Sequence, residues 1–191
     1  MKSATVSFLT QEVLLNKQAL DQMWDQFRQK YGVYLRVLEA IPADRYPTHP
    51  VPGMRTPTEL AVHISATCIR DIAEGVAKGR ITVDEAGEGK SAAELGNKPA
   101  LIAFARECFD RANAAVGRIG DSELAAMVPT PWGSSWPGAV AFHVMNDEFV
   151  HHRGQLTAFL RVCGGEPPFM WGYADNAPEY QSRVVAEPAG A

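Results

Sequence analysis

Four segments of this chain repeat their apolar residues every three or four positions, and no stretch alternates convincingly as a strand. That periodicity is the tightest constraint on the fold, because a stripe at helical spacing has to be buried against other helices. The first segment runs from Gln11 to Ile41, with Leu14, Leu15, Leu20, Trp24, Phe27, Tyr31, Tyr34, Leu35, Leu38 and Ile41 on its apolar face. Pro42 stops it. Gly32 marks a weak point inside it, since glycine in a helix costs about 1 kcal/mol relative to alanine.

The second segment opens at Thr56-Pro57-Thr58-Glu59: a capping threonine, a first-turn proline and a glutamate placed for a capping box. Leu60, Ile64, Cys68, Ile72 and Val76 then share a face until Gly79. The third begins near Asn97-Lys98-Pro99 and continues through Leu101, Ala105, Cys108, Phe109, Ala112 and Val116 to Gly120. The fourth begins near Trp136-Pro137 and runs to Cys163, where Gly164-Gly165 and Pro167-Pro168 end it.

About twenty polar, Gly-rich residues from Arg80 to Lys98 separate the second and third segments. That length suits a crossover, so the expected fold is an all-α four-helix bundle that is not simply up-down-up-down. The tail from Glu166 to Ala191 reads as a segment draped over the bundle and then disordered. We expect residues 1–168 to form the bundle domain and residues 169–191 to be the extension.

A chain of 191 residues can bury a sizeable core as one domain. Its net charge of −4, without a basic block, argues against nucleic acid as a partner. No stretch approaches the roughly 18 to 20 apolar residues of a spanning helix, so no membrane is expected. The first residues lack the pattern of a signal peptide. Cys68, Cys108 and Cys163 are far apart and set among apolar neighbours, which reads as buried free thiols in a reducing compartment, the cytoplasm.

The chemistry concentrates in Asn146-Asp147-Glu148-Phe149-Val150-His151-His152-Arg153-Gly154-Gln155, inside the apolar fourth segment. Ionisable groups on a buried face need partners, because desolvation costs several kcal/mol. The inward stripe runs through Val144, Glu148, His152, Leu156, Phe159 and Cys163, stacked by steps of three or four residues. Glu148 and His152 are one turn apart and can converge on one ion. His63, on the inward side of the second segment, can supply a third donor. Three N/O ligands with room for water describe an open site for zinc, nickel or iron. Two bland alternatives stand beside this: His63 as a hydrogen-bonded core histidine, and Glu148/His152 as an ordinary i,i+4 pair. His143, Asp147 and His151 share the neighbouring face and form a rival set. Gln155 can equally orient a ligand or be a satisfied core amide, and Arg153 reads as a packing or ion-pairing residue. A second Glu-x-x-His, a His-Glu-x-x-His, a phosphate loop, a Gly-x-Ser-x-Gly and a Cys-x-x-Cys are all absent.

Pro52-Gly53-Met54-Arg55 leading to Glu59-Leu60-Ala61-Val62-His63, with His151-His152-Arg153-Gly154-Gln155-Leu156 and Leu160-Arg161-x-x-Gly164 downstream, resembles the DinB-like superfamily. The resemblance spans roughly Gln11 to Pro168. It implies an up-down-down-up bundle, a homodimer, and one divalent metal held by three histidines. His63 and His152 fall on two of those ligand positions, and Glu148 falls where the third histidine is usual. The stretch from His143 to His152 is one residue longer than in relatives, so a bulge there would bring Asp147 to the ligand position instead. The resemblance also implies a metal-dependent enzyme acting on a small molecule, with a low-molecular-weight thiol such as mycothiol or bacillithiol in transfer, or hydrolysis. The alternative it leaves is a non-catalytic, stress-related dimeric bundle. Trp132, Trp136 and Trp171, near the ends of the fourth segment, can wall a pocket or simply cover the bundle end.

Overall fold

The computed structural model describes residues 16–183. Gln11, Leu14 and Leu15 of the first expected helix, and the final eight residues of the tail, lie outside the described residues. Helix α1 spans Lys17–Ala40, opened by Asn16, whose side chain accepts the Ala19 N–H. A helical run follows in three parts: α2 (Pro57–His63), a π-helical stretch (Ile64–Asp71) and α3 (Ile72–Lys78). Its start is the capping box read from sequence, with the Thr56 hydroxyl accepting from Glu59 N–H and the Glu59 carboxylate accepting from Thr56 N–H. Gly79, at φ 77°, closes it in the left-handed conformation that glycine adopts without strain. Helix α4 spans Glu85–Glu94, α5 Lys98–Val116, α6 Asp121–Ala125 and α7 Gly138–Val162. Two three-residue strands, β1 (Met127–Pro129) and β2 (Ser135–Pro137), pair antiparallel just before α7.

The long helices bury their stripes against one another as the periodicity requires. Helix α1 packs on α5 and α7, and the π stretch packs on both α5 and α7. Their shared interior is aromatic. Trp24 stacks on Phe27 (5.0 Å between centroids) and Phe109 (5.6 Å); Tyr31 stacks on Phe109 (4.6 Å); Phe27 meets Phe149 at 4.7 Å. Such pairs add about 0.5–1.5 kcal/mol each beyond area burial. Every polar tip in this stack has a partner: Trp24 Nε1 donates to Asn113 Oδ1 (3.0 Å), Tyr31 to the Ala105 carbonyl (2.7 Å) and Tyr34 to the Ala61 carbonyl (3.1 Å).

Two departures from the sequence reading matter for function. The Arg80–Lys98 stretch, expected to be a polar crossover, carries a helix of its own, α4, which packs against α2. Its alanines and glycines lack a clear apolar stripe, so periodicity did not reveal it; Asp84, accepting the Gly87 N–H, caps its start. Second, the irregular turn lies in the second helical run rather than the fourth. Helix α7 is regular α-helix from Gly138 to Val162.

Gly32 does not break α1. A Cβ there would fall 2.6 Å from Asn176 Cγ and 2.7 Å from Tyr180 Cβ, so its bare backbone seats the tail. The tail is fastened by Arg36, which donates to the Gly172 carbonyl (2.6 Å), and by Asn176, which donates to the Gln29 carbonyl (2.9 Å). Among the described residues no helix is long and apolar enough to cross a membrane.

Candidate metal centre

Helices α2, α4 and α7 converge where the polar residues of the sequence reading collect. His63 ends α2 facing α7, and its ring meets that of His152 edge to face, 4.9 Å between centroids. His152 is buried within α7. One turn earlier, Glu148 brings Oε2 to 3.2 Å from His152 Nε2, with its side chain 49 % exposed at the mouth. His143, Asp147 and His151, the rival set, all face solvent. Helix α7 has no bulge to turn Asp147 inward.

The ring nitrogens are held by neighbouring side chains. Gln155 Oε1 lies 2.8 Å from His152 Nδ1, while Gln155 Nε2 lies 3.2 Å from His151 Nε2. As placed, the amide oxygen accepts from His152 Nδ1–H and the amide nitrogen donates to His151 Nε2, an arrangement compatible with ligation through His152 Nε2. On the other ring, His63 Nδ1 faces Glu88 Oε2 at 3.2 Å, and the Thr67 hydroxyl donates to the same carboxylate. A carboxylate can only accept, so His63 also carries its proton on Nδ1 and keeps Nε2 as a donor atom. Fixing one ring nitrogen by an acceptor so that the other can bind is the usual support of a metal-ligating histidine.

His152 Nε2 and Glu148 Oε2 lie 3.2 Å apart, an imidazole nitrogen and a carboxylate oxygen one helical turn from each other and close enough to share one cation. Burial lowers the basicity of His152, with the Gln155 hydrogen bond offsetting part of that. Two imidazoles and a carboxylate are donors that zinc-type divalent ions take. Cys68 joins the donor group. Ligand atoms of His63, Cys68 and His152 all lie within 4.8 Å of one another, and Cys68 is buried. Burial, and then the Glu148 and Glu88 carboxylates, push its thiol well above the usual range.

Two adjoining cavities open from this cluster. One of about 330 Å³ is walled by Cys68, Ile72, Val144, Trp132 and Trp136, with His63 and Glu148 at its edge. The other, about 470 Å³, is bordered by Met54, Arg55 and Glu88, and shares His63, Thr67 and Trp132. The β-hairpin sets Trp132 on Trp136, 5.4 Å between centroids and nearly parallel, as a wall of the first. Trp171 is not part of that wall; it is 70 % exposed and lies edge-on to Tyr173. Arg153 packs its guanidinium over the Phe149 ring, 5.6 Å from the centroid. A larger cavity of about 860 Å³, around Lys17, Asp25, Arg28 and Asp121, has no histidine or cysteine in its lining.

Sequence reasoning placed His63, Glu148 and His152, and the fold brings the two histidines together with Glu148 beside the second. It missed Glu88, which lies in the polar, Gly-rich stretch between Arg80 and Lys98, where no apolar stripe points to a helix. It read Cys68 as a buried thiol, and nothing in an i,i+4 stripe signals that this thiol reaches His63.

The family model of the DinB superfamily matches residues 26–156, more than half of the chain. The crystal structure of a DinB-like protein from Bacillus subtilis superposes with a TM-score of 0.60 at 22% identity, covering 85% of this chain and 99% of that one. At that identity the likeness speaks for the fold. No curated protein matches the chain. The family match spans His63 and most of α7 through His152, and the solved structure shares the bundle around them. This chain belongs to the DinB superfamily.

Proposed function

We propose that the chain is a divalent-metal-dependent enzyme whose ion is held by His63, Glu148 and His152, acting in thiol-dependent transfer or in hydrolysis. The observation that carries this is the convergence of the two rings, 4.9 Å between centroids, each with Nδ1 against a neighbouring side chain and with Glu148 beside the second.

When bound, such an ion supplies Lewis acidity and a lowered pKa to a thiol or water beside it. The chain's own residues then have distinct tasks. Glu88, fixed by Thr67, keeps His63 in one tautomer and adds negative charge behind its ring. Gln155 orients the His152 ring without adding charge. Glu148, half in water, offers its carboxylate at the entrance. Trp132 and Trp136 keep one wall of the entrance dry and offer ring faces to an apolar portion of a substrate.

Metal analysis after saturation and gel filtration tests the reading. Wild-type protein is expected to retain about one equivalent of zinc, nickel or iron. His63→Ala and His152→Ala are each expected to lose it while keeping a wild-type helical circular-dichroism spectrum. Wild-type protein that stays folded and retains none of these metals overturns the proposal. A screen of low-molecular-weight thiols with electrophilic substrates, and of hydrolysable esters and amides, then separates transfer from hydrolysis.

A further inference from the structure

We propose that Cys68 is a protein ligand of the same ion, closing the interior side of its coordination sphere and leaving Glu148 as the exchangeable group at the mouth. This rests on the reading above that a divalent metal sits between His63 and His152.

The argument starts from helix geometry. His63 and Cys68 are five residues apart. In an α-helix with 3.6 residues per turn, five steps leave two side chains about 140° apart, on different faces. A π-helix closes its hydrogen bonds five residues apart, so the same five steps come close to one full turn. The structure adopts π geometry from Ile64 to Asp71, the interval that joins these two residues. The outcome is that their ligand atoms, with those of His152, lie within 4.8 Å of one another. His63 and Cys68 also border the same cavity.

Long π stretches are rare, and this one contains neither proline nor glycine to explain it. It is propped from outside. The Tyr34 hydroxyl donates to the Ala61 carbonyl just before the ladder widens, and lies 2.9 Å from Ser65 Oγ within it. A helix held wide at one place, aligning a soft donor with two imidazoles, is explained by coordination; a merely buried cysteine needs no such alignment.

Zinc-type bonds of about 2.0–2.3 Å in a tetrahedron put ligand atoms roughly 3.3–3.8 Å apart, so side-chain rotation of about 1 Å gathers these three. As the Sγ–metal bond forms, the thiol proton leaves to solvent. Cys68 is sealed in the interior, whereas the Glu148 side chain is 49 % exposed, so exchange with incoming ligands falls to the carboxylate. A thiolate in place of a third imidazole also favours zinc or cobalt over magnesium or manganese.

Cobalt(II) titration of the metal-free complete chain, followed by absorption spectroscopy, tests this. One equivalent is expected to give visible d–d bands together with an intense near-ultraviolet thiolate-to-cobalt charge-transfer band. Cys68→Ser is expected to lose the charge-transfer band and keep d–d bands. Cys108→Ser, Cys163→Ser and Glu148→Gln are expected to retain both. Wild-type protein with d–d bands but no charge-transfer band overturns the role of Cys68 and leaves the metal site standing. A charge-transfer band that persists in Cys68→Ser also overturns it. Failure to take up any cobalt sinks both proposals together. Because the wild-type spectrum alone is decisive, the test survives even if the serine variant does not fold.

Discussion

The aromatic interior and the histidine cleft lie against the same helices, yet they are held in opposite ways. Around Tyr31 and Phe149 the rings fill the space, and the Tyr31 hydroxyl and the Trp24 N–H donate to settled partners. Around His152 the neighbours are ionisable or polar: Nδ1 meets Gln155, and Nε2 lies 3.2 Å from a Glu148 carboxylate that is half exposed. The first region holds the fold together by packing. The second gathers groups able to bind a cation at the edge of a cavity. The difference teaches that position in the bundle and chemistry are separable: the same helices that seat a closed aromatic interior also hold an open polar cleft, ordered by Glu88, Gln155 and Thr67.

That contrast breaks most readily at its strong end. Phe149→Ala removes a fully buried ring one residue after Glu148, and the expected loss is about 3–5 kcal/mol of folding free energy in urea denaturation. If the regions are as distinct as argued, the folded fraction of that variant still binds metal. A variant that unfolds by the expected amount but loses its metal affinity entirely would merge the two regions into one.

Glu88→Gln probes the other side. The amide preserves size but removes the charge behind His63, and metal affinity is expected to fall about 10–100-fold, or about 1.4–2.7 kcal/mol, with stability nearly unchanged. A large change in stability with unaltered affinity would make Glu88 a structural residue only.

The smallest effect calibrates both, because it belongs to neither region. The Arg111 guanidinium bonded to Glu74 (2.8 Å), helped by Lys78, holds the Glu74 carboxyl down at about 2. A carboxylate lowered on folding adds stability that is present above its ordinary value near 4.5 and is lost as pH falls toward 2. Arg111→Met is therefore expected to cost about 1 kcal/mol at neutral pH, after screening by water, and nothing below about pH 2. Denaturant midpoints across that range check it; a cost independent of pH would mean that packing, not charge, joins α3 to α5.

What could be read from sequence follows the same division. The aromatic stripe of α1 and the capped start at Thr56 are local and repetitive, so the long helices were legible and the Thr56 start was legible to the residue, while α1 opens at Lys17 and α5 stops at Val116, short of the expected Gly120. The meeting of His63 with His152 was legible because polar groups on an apolar stripe stand out, whereas Glu148, expected inside, is half exposed. Glu88 was not, since its helix has little apolar face and gains its place only by packing on α2. The alignment of Cys68 with His63 was hidden for another reason. Stripe reading assumes 3.6 residues per turn, and the chain departs from that value between Ile64 and Asp71. The long stretch from His143 to His152 suggests a bulge in α7 instead, yet that helix is regular.

The seat at Gly32 has a consequence for how the molecule is made. Tyr180 packs on Tyr31 and Phe109, and Asn176 bonds to the backbone of α1, so a helix that leaves the ribosome before the other described long helices is covered by a segment that follows all of them. A nascent chain can assemble its four helices while this flank of α1 stays bare, and only the arrival of Tyr180 seals it. Synthesis halted at the end of α7 would therefore release a bundle with an aromatic flank open to water, a species for chaperones to hold and not a finished protein.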